Sequence, residues 1–100
     1  MRLQKYSDDP IIRQLFDAVL TLKTVEECDR FFDDLCTVGE LQSLAQRLEV
    51  AKMLDQGLTY SHIEEETGAS TATISRVKRC LHYGADGYRI ALERIERNAE

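Results

Sequence analysis

A single proline, at position 10, is the only one in the 100-residue chain, and five glycines are the only other strong helix breakers. Proline removes a backbone donor and crowds the preceding helical turn. Its confinement to the first tenth therefore leaves the rest free to form long helices. No residue run suggests a strand pair, an internal repeat or a low-complexity linker, so the expected class is all-α. Hydrophobic residues make up 43% of the chain and charged residues 31%, a globular balance. At this length the whole chain, residues 1–100, reads as one helical domain, and a partner subunit would add to its small core. No apolar stretch approaches the ~20 residues that span a bilayer, so no membrane partner is expected.

Cys28, Cys36 and Cys80 are odd in number and lack C-x-x-C spacing, and Met1-Arg2-Leu3-Gln4 begins no secretion signal, which together point to the cytoplasm. His62 and His82 do not join the cysteines in a clustered zinc-ligand pattern, so neither a metal nor another cofactor is expected. No serine or cysteine stands in a nucleophile elbow or a phosphate-loop sequence, and the chain is not read as an enzyme.

Cap residues divide the chain into six helices. Asp9-Pro10 is an N-cap followed by a first helical position, and Ile11, Ile12, Leu15, Phe16, Val19, Leu20 and Leu22 then form a broad apolar stripe. Such a wide face needs cover, and a second chain is one candidate. Thr24 with Glu27, and Thr37 with Glu40, have the spacing of capping boxes for the next two helices. Cys28, Phe31, Phe32 and Leu35 share one face of the second, with Asp29, Asp33 and Asp34 in water. Leu41, Leu44, Leu48 and Ala51 mark the third, expected to be the longest, up to Gly57. A short fourth helix is expected over about 60–67, capped by either Thr59 or Ser61 and stopped by Gly68. Ser70 caps a fifth through Ile74, Val77 and Leu81 to Gly84, and Asp86 a sixth through Tyr88, Leu92 and Ile95.

Charge is distributed unevenly around the net value of −5: residues 68–84 hold Arg76, Lys78 and Arg79 and no acid. That positive island falls on the second of two helices in YSHIEEETGASTATISRVKR, residues 60–79, a helix, a glycine turn and a helix. Ile63, Ile74 and Val77 occupy the inner faces as a clamp, and Gly68 stands where the turn needs a positive φ. Thr71, Ala72, Ser75 and Arg79 then project outward, small and polar at the N-terminal end as entry into a major groove requires. Ser70 and the amides of that first turn can hold a phosphate. Tyr60, Tyr83 and Tyr88 read as packing or interface aromatics.

With six helices, the motif at helices four and five, and the string Gly68-Ala69-Ser70-Thr71-Ala72-Thr73-Ile74-Ser75-Arg76, the chain resembles the Trp repressor superfamily, in particular its YerC/YecD group. The resemblance covers roughly residues 10–98. It implies an intertwined homodimer, with helices one, two, three and six interlocked between chains. It also implies a cytoplasmic regulator of transcription, probing double-stranded DNA with two recognition helices in successive major grooves about 34 Å apart. The helix-turn-helix would span about 58–81, with Ser70, Thr71, Ala72, Thr73, Ser75, Arg76, Lys78 and Arg79 as DNA contacts. A corepressor cleft in that family corresponds here to Arg47 and Arg76, lined by Thr37 and Val50. A guanidinium pair suits a small carboxylate-bearing ligand.

Two positions depart from the family pattern. Val77 replaces a glycine that leaves room for an indole, so the expected ligand is not tryptophan. Ser61 and Glu64 replace basic residues that contact the operator, and Glu65 and Glu66 follow, so DNA affinity should be lowered. Arg47 and Arg76 also have an alternative role in ion pairs with Glu40, Glu49 or a partner chain. The alternative reading of the whole chain is a helical protein-interaction module that keeps the fold and uses its acidic surface.

Overall fold

The computed structural model describes residues 5–99; the segment Met1-Arg2-Leu3-Gln4, on which the reading of secretion rests, lies outside them. The described residues form six α-helices and no strand: α1 Pro10–Thr21, α2 Val25–Leu35, α3 Val38–Asp55, α4 Tyr60–Thr67, α5 Thr71–Tyr83 and α6 Gly87–Ala99. None is long and apolar enough to cross a membrane. The chain divides into two compact units between Leu41 and Gln42, within α3.

In the N-terminal unit the caps form as their residue types require. The Asp9 carboxylate accepts from the amides of Ile11 and Ile12 at 2.9 and 3.3 Å. The Thr24 hydroxyl accepts from the Glu27 amide at 3.1 Å, while the Glu27 carboxylate reaches one residue further back than a simple capping box, to the Lys23 amide at 2.9 Å. At α3 the exchange is reciprocal: Thr37 Oγ1 accepts from the Glu40 amide at 3.1 Å and Glu40 accepts from the Thr37 amide at 2.8 Å. The Thr37 backbone amide, and after it the Thr37 side chain, hold the Glu40 carboxyl below its ordinary pKa because hydrogen bonding to the carboxylate favours its charged form. Phe31 and Phe32 meet edge to face with centroids 5.4 Å apart. Neither α1 nor α2 contains a buried residue. The apolar stripe of α1 is displayed instead, with Ile11 80% and Leu20 81% exposed and Leu15, Phe16 and Val19 close to 40%.

The C-terminal unit is closed around a core. Val50, Ala51 and Met53 of α3, Ile63 of α4, Ala69 of the turn, and Ile74 and Val77 of α5 are buried together, with Tyr60, Tyr88 and Leu92 packed against them. Each fully enclosed large side chain among these stabilises by about 1.5–3 kcal/mol relative to exposure. α3 is the longest helix and ends at Gly57, φ +79°, where the Leu58 amide donates to Met53 O and the Gly57 amide to Leu54 O, a Schellman closure that needs the left-handed residue. Leu41 and Leu44, expected on an inner stripe of α3, are exposed.

One further expectation is corrected. Asp86 precedes α6 and its carbonyl accepts from the Ile90 amide at 3.0 Å, but its φ is +66°, a left-handed conformation that aspartate tolerates, and its side chain makes no capping bond among the described residues. Tyr83 is exposed at the end of α5, so of the two roles read for the tyrosines it does not take the packing one that Tyr60 and Tyr88 take.

Candidate nucleic-acid interface

The site is built on the turn between α4 and α5. Thr59, rather than Ser61, caps α4: its hydroxyl accepts from the His62 amide at 3.2 Å. Gly68 ends α4 at φ +72°, donating its amide to Glu64 O at 2.9 Å. Nothing crowds the place a Cβ would take there, so the backbone angle alone calls for glycine. The turn is then fastened by side chains. Thr67 Oγ1 donates to Ile63 O at 2.7 Å and accepts from the Ala69 amide at 3.1 Å, and Gln46 of α3 donates to Thr67 O at 3.1 Å. Beneath it Ile63, Ile74 and Val77 are enclosed, which is the clamp the spacing predicts.

This anchorage leaves one face of α5 outward. Ser70, Thr71, Ala72, Ser75, Arg76, Lys78 and Arg79 are exposed, and Thr73 is half-buried. Ser70 Oγ is more occupied than a free phosphate ligand would be: it accepts from the Thr73 amide and donates to Thr73 Oγ1, both at 3.1 Å. The Lys78 ammonium lies 5.6 Å from the centroid of the Tyr60 ring, a cation–π contact that holds the side chain beside α4. Thr71 donates its hydroxyl to a carboxylate oxygen of Glu64. Arg76 and Arg79 have no acidic or hydrogen-bonding partner among the described residues.

Arg47 and Arg76 line one slot of about 220 Å³, together with Ser43, Gln46 and Thr73. No acid and no apolar side chain lines it. Arg47 is likewise unpaired among the described residues, and the acids considered for it are engaged elsewhere, Glu49 with Lys52 at 3.8 Å and Glu40 in its capping box. Val50 is fully enclosed in the core and does not line the slot, and Thr37 is the α3 cap in the N-terminal unit. Val77 is also turned into the core, so its branched side chain does not narrow the slot as expected. Sequence reasoning misses Ser43 and Gln46: Ser43, one turn before Arg47, shares its face of α3 and could have been found by that spacing, whereas Gln46, one residue before Arg47, carries no such signal. Among the described residues no group of histidine, cysteine or acid side chains is placed to hold a metal ion.

An all-helical chain with a braced helix-glycine-helix turn and an outward, basic second helix is a helix-turn-helix protein. The chain belongs to the Trp repressor protein family, which matches residues 11–96, and within it to the YerC-related group. It is 70% identical over 83 residues to the uncharacterized protein YerC of Bacillus subtilis (strain 168), covering 83% of this chain and 80% of that one. A crystal structure of a candidate Trp repressor from Staphylococcus aureus is 57% identical, with a TM-score of 0.88 over 95% of this chain and 96% of the other. A TrpR-like protein from Eubacterium eligens ATCC 27750 is 53% identical, with a TM-score of 0.87 over 90% and 93%. Membership suggests a DNA-binding regulator, in a family of regulators rather than of enzymes.

Proposed function

We propose that this chain is a sequence-specific DNA-binding repressor of transcription that acts in the cytoplasm as a homodimer, each copy contributing residues 1–100 as one helical domain. The observation that carries the reading is the braced outward face of α5: small polar side chains on its first turns and unpaired Arg76 and Arg79, in the longest stretch of the chain without acids. Trp repressor is itself among the helix-turn-helix proteins whose second helix enters the major groove N-terminal end first. In that docking Thr71, Ala72, Ser75 and Arg79 meet base edges, while Ser70 through its backbone amide, Thr73, Arg76 and Lys78 support phosphate contacts. The displayed stripe of α1, with its exposed Leu15, Phe16, Val19 and Leu20, supports a second copy as its cover.

The slot between Arg47 and Arg76 supports a small carboxylate-bearing ligand, because a guanidinium pair without counter-charge attracts an anion. The absence of any apolar side chain from its lining, rather than any narrowing by Val77, disfavours an indole. Such a ligand alters operator affinity to the extent that it binds one dimer shape better than another.

Fluorescence anisotropy titration with genomic fragments at several salt concentrations tests the reading. A specific complex weakens as salt rises and is lost in Arg79→Ala and Thr71→Glu. Retained affinity in both variants places the reading face elsewhere, and a chain that enriches no sequence from random duplexes is an interaction module instead.

A further inference from the structure

The first residue of α5 and an acid of α4 form a pair whose hydrogen-bond direction is fixed. Thr71 donates its hydroxyl proton to a carboxylate oxygen of Glu64, across the turn, and both side chains are exposed. A threonine hydroxyl has one proton, and an ionised carboxylate only accepts. With that proton committed, the pair offers its surroundings nothing but lone pairs, those of Thr71 Oγ1 and of the second Glu64 oxygen.

In the major groove such a surface has few complements. Guanine N7 and O6 and thymine O4 are acceptors and repel it, whereas cytosine N4 and adenine N6 carry donor hydrogens. Cytosine is the better match, because adenine places its N7 acceptor beside the amino group. We infer that Glu64 and Thr71 act together as an acceptor-only reader that selects cytosine at one position of each half-site. The inference rests on the DNA-binding reading above and extends it to an acid that a phosphate-contacting surface would not be expected to carry. Glu64 then has two effects of opposite sign. Its charge repels the nearby backbone and lowers affinity for duplex of any sequence. Its lone pairs raise the discrimination between bases.

That opposition separates base reading from a merely structural role. The full chain and its Glu64→Gln, Thr71→Val and Thr71→Ser variants are each used to select from random duplexes, and the enriched duplex is then titrated with the selected cytosine intact or replaced by thymine. For the unaltered chain the replacement is expected to weaken binding about tenfold. Glu64→Gln, whose amide both donates and accepts, should bind random duplex more tightly, with a steeper salt dependence, and lose the cytosine preference. Thr71→Ser keeps the committed proton and should keep the preference; Thr71→Val should weaken it. The same base preferences at every position in the unaltered chain and in Glu64→Gln would overturn the inference while leaving the regulator reading standing. Enrichment of no sequence by any of the four proteins would remove that reading as well.

Discussion

The two units of the chain use the same helical pattern with opposite results. From Gln42 onward, Val50, Ile63, Ile74 and Val77 enclose one another without help from outside. Up to Leu41, the equally apolar residues of α1 and α2 enclose nothing completely. Helical periodicity thus records that a face must be covered and is silent on what covers it. A core of its own holds α5 firmly, as the proposed reading of base edges by that helix would require. The N-terminal unit retains an apolar face, as a segment built for assembly would.

That contrast can be broken most forcefully in the core. Ile74→Ala leaves a void under the clamp and should cost about 4 kcal/mol, read from denaturant unfolding followed by a probe in α4 or α5. In the N-terminal unit the corresponding damage should appear in association. Phe16→Glu places a charge on the α1 stripe and should raise the dimer dissociation constant more than a hundredfold, about 3 kcal/mol, by sedimentation or by size exclusion with light scattering. An unchanged dimer in Phe16→Glu would mean that this stripe is covered by something else.

Smaller effects sharpen the comparison by testing each unit's backbone. Gly68→Ala puts a Cβ on a left-handed residue with free space around it, so the cost should be that of the angle alone, about 1 kcal/mol. Thr37→Ala removes the α3 cap and should cost a similar amount, about 1 kcal/mol, again by denaturant unfolding. The smallest effect concerns pH. The Glu40 carboxyl is held below its ordinary pKa in the folded chain, so its contribution is present above the unfolded value and lost as pH falls through the lower folded one. Glu40→Gln keeps the capping geometry without the charge. Its unfolding midpoint should therefore fall less steeply than the unaltered chain's on acidification through the carboxylate range.

The helices were largely legible in the sequence because their signals are local. Asp9, Thr24, Thr37 and Ser70 cap the helices that their spacing announces, and Gly68 takes the left-handed turn. Thr59 and Ser61 were indistinguishable on chemistry, since either hydroxyl suits an N-cap, and only the path of the chain selects Thr59. Asp86 misled for the related reason that aspartate serves both as a cap and as a left-handed residue.

The candidate site was legible only in outline. Spacing placed Ile63, Ile74 and Val77 inward and Thr71, Ser75 and Arg79 outward. The reading of Val77 as both clamp and slot wall asked one side chain to face two ways, and the core claims it. Arg47 and Arg76 share a slot with Ser43 and Gln46, while Val50, expected beside them, is enclosed in the core. The bond from Thr71 to Glu64 crosses a turn whose dihedral angles no composition rule supplies, so nothing in the sequence signals it.

The claim beneath all of this is that α5 presents a basic, groove-sized face to duplex DNA twice in each assembly. Hydroxyl-radical footprinting of the complex on a selected duplex tests it most directly. The account predicts two protected windows on one side of the helix, with centres about 10 base pairs apart, both lost in Arg79→Ala. A single window, or protection that survives in Arg79→Ala, would contradict it.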